Sequence, residues 1–116
     1  MRVAVIGSRG LTVPDLGKYL PSDTTEIISG GARGVDTSAR EYALANGIKL
    51  TEFLPDYEQY GRSAPLRRNI DIIASADIVL AFWDGKSGGT KFVIDNCKKA
   101  GVPVKVFERN VSRETI

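Results

Sequence analysis

Three short segments combine glycine with a cation and hydroxyl groups: Gly7-Ser8-Arg9-Gly10, Ser29-Gly30-Gly31-Ala32-Arg33-Gly34 and Asp84-Gly85-Lys86-Ser87-Gly88-Gly89-Thr90. That combination suits an anion. Glycine allows positive φ and lets a backbone approach a ligand closely. Free N–H groups at the start of a following helix point at negative charge. Arg9, Arg33 and Lys86 add full charges, and Ser8, Ser29, Ser87 and Thr90 add hydroxyls. One such loop would be explained by a turn; three loops suggest a site for a phosphate-bearing, nucleotide-like ligand. No Gly-x-Gly-x-x-Gly follows the first apolar run, and no Walker lysine motif is present. An ordinary NAD dehydrogenase or P-loop NTPase is therefore disfavoured.

Other side chains have two readings each. Asp36, at a helix start, either makes a favourable contact with the helix dipole, worth roughly 0.3–1 kcal/mol, or accepts from a ribose hydroxyl or acts as a catalytic carboxylate. Arg62, Arg67 and Arg68 are either a solvated basic surface, with Arg67 pairing to Asp71 for about 0–1 kcal/mol, or bring one guanidinium over the crevice to grip phosphate bidentately. Asn69 continues that stretch. Trp83 belongs to the core or stacks on a base, and Tyr57 and Tyr60 share that choice. The chain has no histidine and a single cysteine, Cys97. Imidazole catalysis and an intramolecular disulfide are excluded, and Cys97 reads as a small buried apolar residue. No metal site and no resident cofactor are expected.

These residues need a scaffold that gathers them. The chain is 116 residues long, 42% hydrophobic and 26% charged, with a formal net charge of +2. That is one ordinary globular domain, assigned to residues 1–108 with a frayed tail over 109–116. Residues 3–6 form a wholly apolar, doubly buried strand. A short helix is expected over 13–20, with Pro14 in its first turn, and residues 21–23 form a turn. A strand over 25–29 runs into the second glycine segment. Residues 34–46 have a helical apolar face of Val35, Ala39, Tyr42 and Ala43, ended by Asn46-Gly47. The mixed strand over 48–53 suits a sheet edge, and 55–62 reads as a loop. Ser63 caps the next helix, whose apolar stripe is Leu66, Ile70, Ile73 and Ala74. A central strand over 77–82 follows, then a helix over 88–100 with Gly89, Val93, Cys97 and Ala100 inward, and an edge strand over 102–107.

Alternating strands and helices force parallel pairing with helices on both faces. The expected fold is α/β, a Rossmann-like α/β/α sandwich with a five-stranded parallel sheet in the order 3-2-1-4-5. All three glycine segments then lie at the carboxyl end of the sheet, around the switch point between strands one and four. No apolar run spans a membrane or resembles a signal peptide, so a cytoplasmic location is expected.

The stretches Ile28-Ser29-Gly30-Gly31-Ala32-Arg33-Gly34-Val35-Asp36, Arg67-Arg68-Asn69-Ile70 and Ser87-Gly88-Gly89-Thr90 resemble the SLOG superfamily, in particular its small stand-alone YspA/YpsA-like branch. Gly7-Ser8-Arg9 and Phe82-Trp83-Asp84-Gly85 fit that branch as well. The resemblance implies a Rossmann-like nucleotide-binding domain that senses or processes a nucleotide derivative, commonly as a homodimer. It implies ligand contacts at Gly7, Ser8, Arg9, Ser29, Gly30, Gly31, Arg33, Gly34, Asp36, Arg67, Arg68, Asn69, Asp84, Gly88, Gly89 and Thr90, with Trp83 as a base-stacking candidate. Two related activities are alternatives. LOG phosphoribohydrolases carry Pro-Gly-Gly-x-Gly-Thr-x-x-Glu; Gly89-Thr90 matches, but the glutamate position holds Val93, and Asp95 lies about 200° around the helix from it. The LOG arginine matches Arg67 or Arg68, so Arg68 and Asp36 are the catalytic candidates. Arg-Arg-Asn also matches DprA, which binds single-stranded DNA; the small net charge argues against nucleic acid as the main ligand.

Overall fold

The computed structural model describes residues 1–109. Its centre is β1 (Arg2–Gly7), hydrogen-bonded to β2 (Glu26–Ser29) on one side and to β4 (Ile78–Trp83) on the other. β3 (Lys49–Glu52) lies outside β2 and β5 (Val104–Glu108) outside β4, all parallel. The strand order is β3-β2-β1-β4-β5, as expected. The edges are β3 and β5, whose side chains are largely half-exposed or exposed, whereas the interiors of β1 and β4 are buried.

Alternation along the strands divides the core into two layers. On one face Val3, Val5, Ile27, Leu80 and Phe82 pack under Val35, Ala39 and Ala43 of α1 (Val35–Ala45). On the other, Ala4, Ile6, Ile28, Val79 and Ala81 pack under α3 (Ala64–Ser75) and α4 (Gly88–Ala100), reached through the short α2 (Tyr57–Tyr60). The protein is therefore a Rossmann-like three-layer α/β/α sandwich. Among the described residues, no helix is long and apolar enough to cross a membrane. Residues 110–116, most of the expected tail, lie outside the described residues.

Four local expectations differ from the structure. The helix expected over 13–20 is only a 3-10 turn, Leu16–Lys18. Pro21 disfavours helical backbone at Leu20 and so cuts the segment short, and Leu11, Val13 and Leu16 cover the sheet face from irregular backbone instead. Burying Leu16 completely is worth about 1.5–3 kcal/mol without helical hydrogen bonds. The segment 55–62 holds α2, whose N-terminus is capped by Asp56 Oδ1 accepting from the Gln59 amide at 3.1 Å. Ser63 does not cap α3; its hydroxyl donates to the Tyr60 carbonyl at 2.8 Å.

The fourth difference concerns helix faces. In α3 the buried residues are Ala64, Arg68, Ile72 and Ile73, while Leu66 and Ile70 stay 42% and 43% exposed. The helix turns an arginine inward because backbone carbonyls receive it: Arg68 Nη1 donates to Gly30 O at 2.5 Å and to Phe53 O at 3.4 Å. In α4 the inward face is Thr90, Val93, Ile94 and Cys97, with Gly89 and Ala100 exposed. Cys97 is a buried free thiol, as expected, and burial pushes its pKa up to about 11.

Candidate functional site

β1 is where the chain's crossovers reverse direction, to β2 on one side and β4 on the other. In open α/β sheets the carboxyl ends of the strands at such a point leave a crevice. A cavity of about 360 Å³ lies there. Its wall is built from the loops after β1, β2 and β4, the first turns of α1 and α4, and one face of α3.

Gly7 ends β1 where no side chain fits: a Cβ there would stand 2.3 Å from Phe82 O and 2.6 Å from Val35 Cγ2. Ser8 then ties the two central loops together. Its amide donates to Phe82 O at 3.0 Å, its hydroxyl accepts from the Asp84 amide at 3.1 Å, and its Oγ is hydrogen-bonded to Ser87 Oγ at 2.6 Å. Ser87 Oγ in turn donates to Thr90 Oγ1 at 3.3 Å. Asp84 Oδ1 accepts from the amides of Lys86 and Ser87, both at 2.8 Å. Those amide bonds, Ser87 first, hold the Asp84 carboxyl below its ordinary range.

The start of α4 is the donor side of the cavity. Ser87 occupies the N-cap position, yet its side chain caps nothing, because its hydroxyl is engaged with Ser8 and Thr90. A Cβ at Gly88 or Gly89 would have nothing within 4 Å. First-turn amides carry partial positive charge, and Arg9 lies on the same wall.

The other side is formed by Asp36 and Arg68. Asp36 is 6% exposed; its Oδ2 accepts from the Ala32 amide at 3.1 Å, and its Oδ1 has no partner. The buried Ser29 hydroxyl lies beside the carboxylate and is the donor nearest to that oxygen, and it lowers the Asp36 pKa. Burial raises the Asp36 pKa, against the Ala32 amide and the Arg68 charge, which lower it. Arg68, 9% exposed, is shifted downward by burial, with Asp36 opposing. The wall thus balances Arg9 and Arg68 against Asp36 and Asp84. Among the described residues, no group of three His, Cys, Asp or Glu side chains is placed to hold a metal ion.

Of the residues singled out from the sequence, Gly7, Ser8, Arg9, Asp36, Arg68, Asn69, Asp84, Gly89 and Thr90 share this wall. Gly10 and Ser87, from the same loops, join them. Ser29, Gly30, Gly31, Arg33, Gly34, Arg67 and Gly88 do not line it. Arg33 is exposed, and Arg67 lies over the Tyr60 ring at 5.0 Å, making no ion pair with Asp71. Trp83 packs with the core beneath α4, its Nε1 donating to Ser87 O at 3.0 Å, so it supports the loop from behind. The sequence reading missed the apolar wall: Ile6, Ala32, Pro65, Leu66 and Ile72. Ile6 was legible in principle, since the last side chain before a strand-end glycine borders the crevice. Val93, at the position of the LOG glutamate, also lines the cavity and is 1% exposed.

No protein-family profile matches the chain. No solved structure matches it. The Gene 61 protein of Mycobacterium phage D29 is 39% identical over 87 residues, covering 70% of each chain. The chain belongs to the same family as that phage Gene 61 protein.

Proposed function

We propose that the cavity binds a nucleotide or nucleotide-derived phosphate ligand, with its phosphate at the start of α4. The observation that carries this reading is the open, uncapped first turn of α4, on a wall shared with Arg9. Gly88 and Gly89 are not demanded by packing, since a Cβ at either would meet nothing. Glycine weakens a helix by up to about 1 kcal/mol relative to alanine. Close approach of an anion to bare amides is a reason to keep it there. The volume of about 360 Å³ sits at the small end of ligand pockets, about 300–1,000 Å³. The SLOG resemblance of Gly30–Asp36 and Ser87–Thr90 supports the same ligand class.

A thermal-shift screen with inorganic phosphate, ribose 5-phosphate and nucleoside mono-, di- and triphosphates tests this. A ligand at one hundred times its Kd stabilises the fold by about 2.7 kcal/mol, and at least one phosphate ester should raise Tm. If no compound, phosphate included, moves Tm at millimolar concentration, the reading fails.

One observation favours a second reading, cleavage of the N-glycosidic bond of a nucleoside monophosphate. A cationic sugar transition state needs an adjacent carboxylate. Val93 offers none, whereas Asp36 lines the same cavity from α1. Incubation with purine and pyrimidine nucleoside monophosphates should then release free base. No release at high protein concentration leaves binding alone.

A further inference from the structure

The face that α3 gives the cavity runs from the surface to the core. Leu66 is 42% exposed, Asn69 is half-buried and Ile72 is 1% exposed, and all three line the cavity. Their spacing of three residues sets them in one row along the helix. Pro65, one turn before Asn69, lines the cavity beside that row. At the inner end Ile72 shares a core layer with Ile6 and Val93, which also line the cavity. The row is an aliphatic strip from mouth to floor, with a single uncharged polar side chain, Asn69, set into it.

Asn69 differs from two other asparagines of the chain. Asn46 and Asn96 turn their side chains back on their own helices, donating to the carbonyls of Tyr42 and Phe92 four residues earlier. The carbonyl four residues before Asn69 is that of Pro65, and it accepts from Arg68 Nε at 3.4 Å instead. Among the described residues the Asn69 side chain makes no hydrogen bond. Its amide keeps an acceptor and an NH2 donor for whatever enters the cavity. Leu66 is left at the mouth for the same reason: the helix turns Arg68 inward and Leu66 out.

An aliphatic strip carrying one free amide fits a flat, largely apolar ring with donors and acceptors on its edge. That is the chemistry of a nucleobase, whose edge a carboxamide can pair through both of its groups. No aromatic side chain lines the cavity, so a base there lies on aliphatic carbon. Thr90 and Val93 of α4 line the cavity too, so the strip and the start of α4 belong to one site. Resting on the phosphate-binding reading above, we propose that the α3 strip is a base subsite. Leu66 is the ledge under the ring and Asn69 reads its edge, so the site selects nucleoside phosphates over base-free sugar phosphates.

Calorimetric titration of the full chain would use inorganic phosphate, ribose 5-phosphate and the four common ribonucleoside 5′-monophosphates. At least one nucleotide should bind about tenfold or more tighter than ribose 5-phosphate. Leu66→Ala should weaken that nucleotide by about threefold to tenfold. Asn69→Leu keeps the size of the side chain and removes its polar edge; it should weaken the nucleotide by about tenfold and narrow the spread among the four bases. Both variants should hold ribose 5-phosphate within about twofold of wild type. If phosphate or ribose 5-phosphate binds and no nucleotide binds more tightly than ribose 5-phosphate, the base subsite is overturned and phosphate recognition stands. A nucleotide preference that either variant keeps in full, or an equal loss for ribose 5-phosphate, overturns the assignment to this strip. Failure of all probes overturns both readings. Should a variant not fold, the wild-type ratio and the other variant decide.

Discussion

A methyl group added at Gly30, Gly31 or Gly34 would strike protein, whereas one added at Gly88 or Gly89 would meet nothing within 4 Å. At Gly30 it would lie 2.4 Å from Arg68 Nη1, and at Gly31 2.5 Å from Leu54 Cδ2. At Gly34 it would lie 2.4 Å from the Arg9 carbonyl oxygen. Gly31 and Gly34 also hold φ of 69° and 75°. The loop after β2 uses its glycines to close the chain against itself, so that Arg68 and Asp36 can face each other behind it. The loop after β4 leaves its helix start bare beside the cavity. Two segments with similar composition therefore divide the labour: one holds Arg68 and Asp36 from within, and the other presents the donor wall to a ligand.

The largest expected effect comes from breaking the first half of that comparison. Gly34 has φ 75° and ψ −120°, a mirror-β conformation that a Cβ disfavours, and its Cβ would also collide with main chain that cannot step aside. Gly34→Ala should destabilise the fold by about 3 kcal/mol or more in urea unfolding. Gly30→Ala should cost less, about 1–3 kcal/mol, since the clashing atom is a side chain. It should also dislodge Arg68 from the carbonyls of Gly30 and Phe53. If both variants unfold at the wild-type midpoint, the loop after β2 is not a packing device.

The second half predicts the opposite pattern. Gly89→Ala should leave stability unchanged or raise it by up to about 1 kcal/mol, while weakening phosphate-ester binding by about tenfold, the loss of roughly one hydrogen bond. A variant that is both less stable and equally able to bind would erase the distinction between the loops. Arginines sharpen it further. Arg9 lines the cavity and Arg33, from the loop after β2, does not. Arg9→Ala should weaken phosphate binding by about tenfold, and Arg33→Ala should leave it within about twofold. Equal losses would indicate a general basic surface rather than a built site, and salt titration would then weaken both alike.

Much of this arrangement was legible before any coordinates. Apolar runs leading into glycine-bearing loops located β1, β2 and β4, and polar intrusions such as Lys49 and Lys105 marked the edges, so the sheet order followed. Helix faces were less legible, because Arg68 scores as a surface residue and Leu66 and Ile70 as core. Three carbonyl oxygens reverse that: those of Gly30 and Phe53 accept from Nη1, and that of Pro65 from Nε at 3.4 Å. The Gly30 and Phe53 partners are distant in the chain and leave no trace in periodicity. The same limit applies to the glycines. Composition makes Gly30-Gly31 and Gly88-Gly89 equivalent, and only the atoms that surround each pair tell a packing glycine from an open one. Trp83 had two readings in the sequence, core or base stacking, and its packing with the core and the bond from its Nε1 to Ser87 O favour the first.

The smallest expected effect tests whether Asp36 is as dry as the packing around the loop after β2 implies. Burial raises the Asp36 pKa above its ordinary 3.8, opposed by the Ala32 amide, Arg68 and the Ser29 hydroxyl and assisted by Glu52. A carboxyl raised in the folded state contributes its full stability while protonated, below the unfolded value near 3.8. That contribution is lost as pH rises through the higher folded value. Asp36→Asn carries no such proton. Its stability relative to wild type should therefore grow in its favour as pH climbs upward from about 4, then become constant once the wild-type carboxyl is ionised in both states. Glu26 and Asp84, whose carboxyls are shifted downward instead, are present in both proteins and cancel in the difference. Urea unfolding of the pair across acid and neutral pH reads this directly. A difference that stays flat with pH means that water reaches the carboxylate, and the contrast between a sealed carboxylate and an open donor wall would then have to be given up.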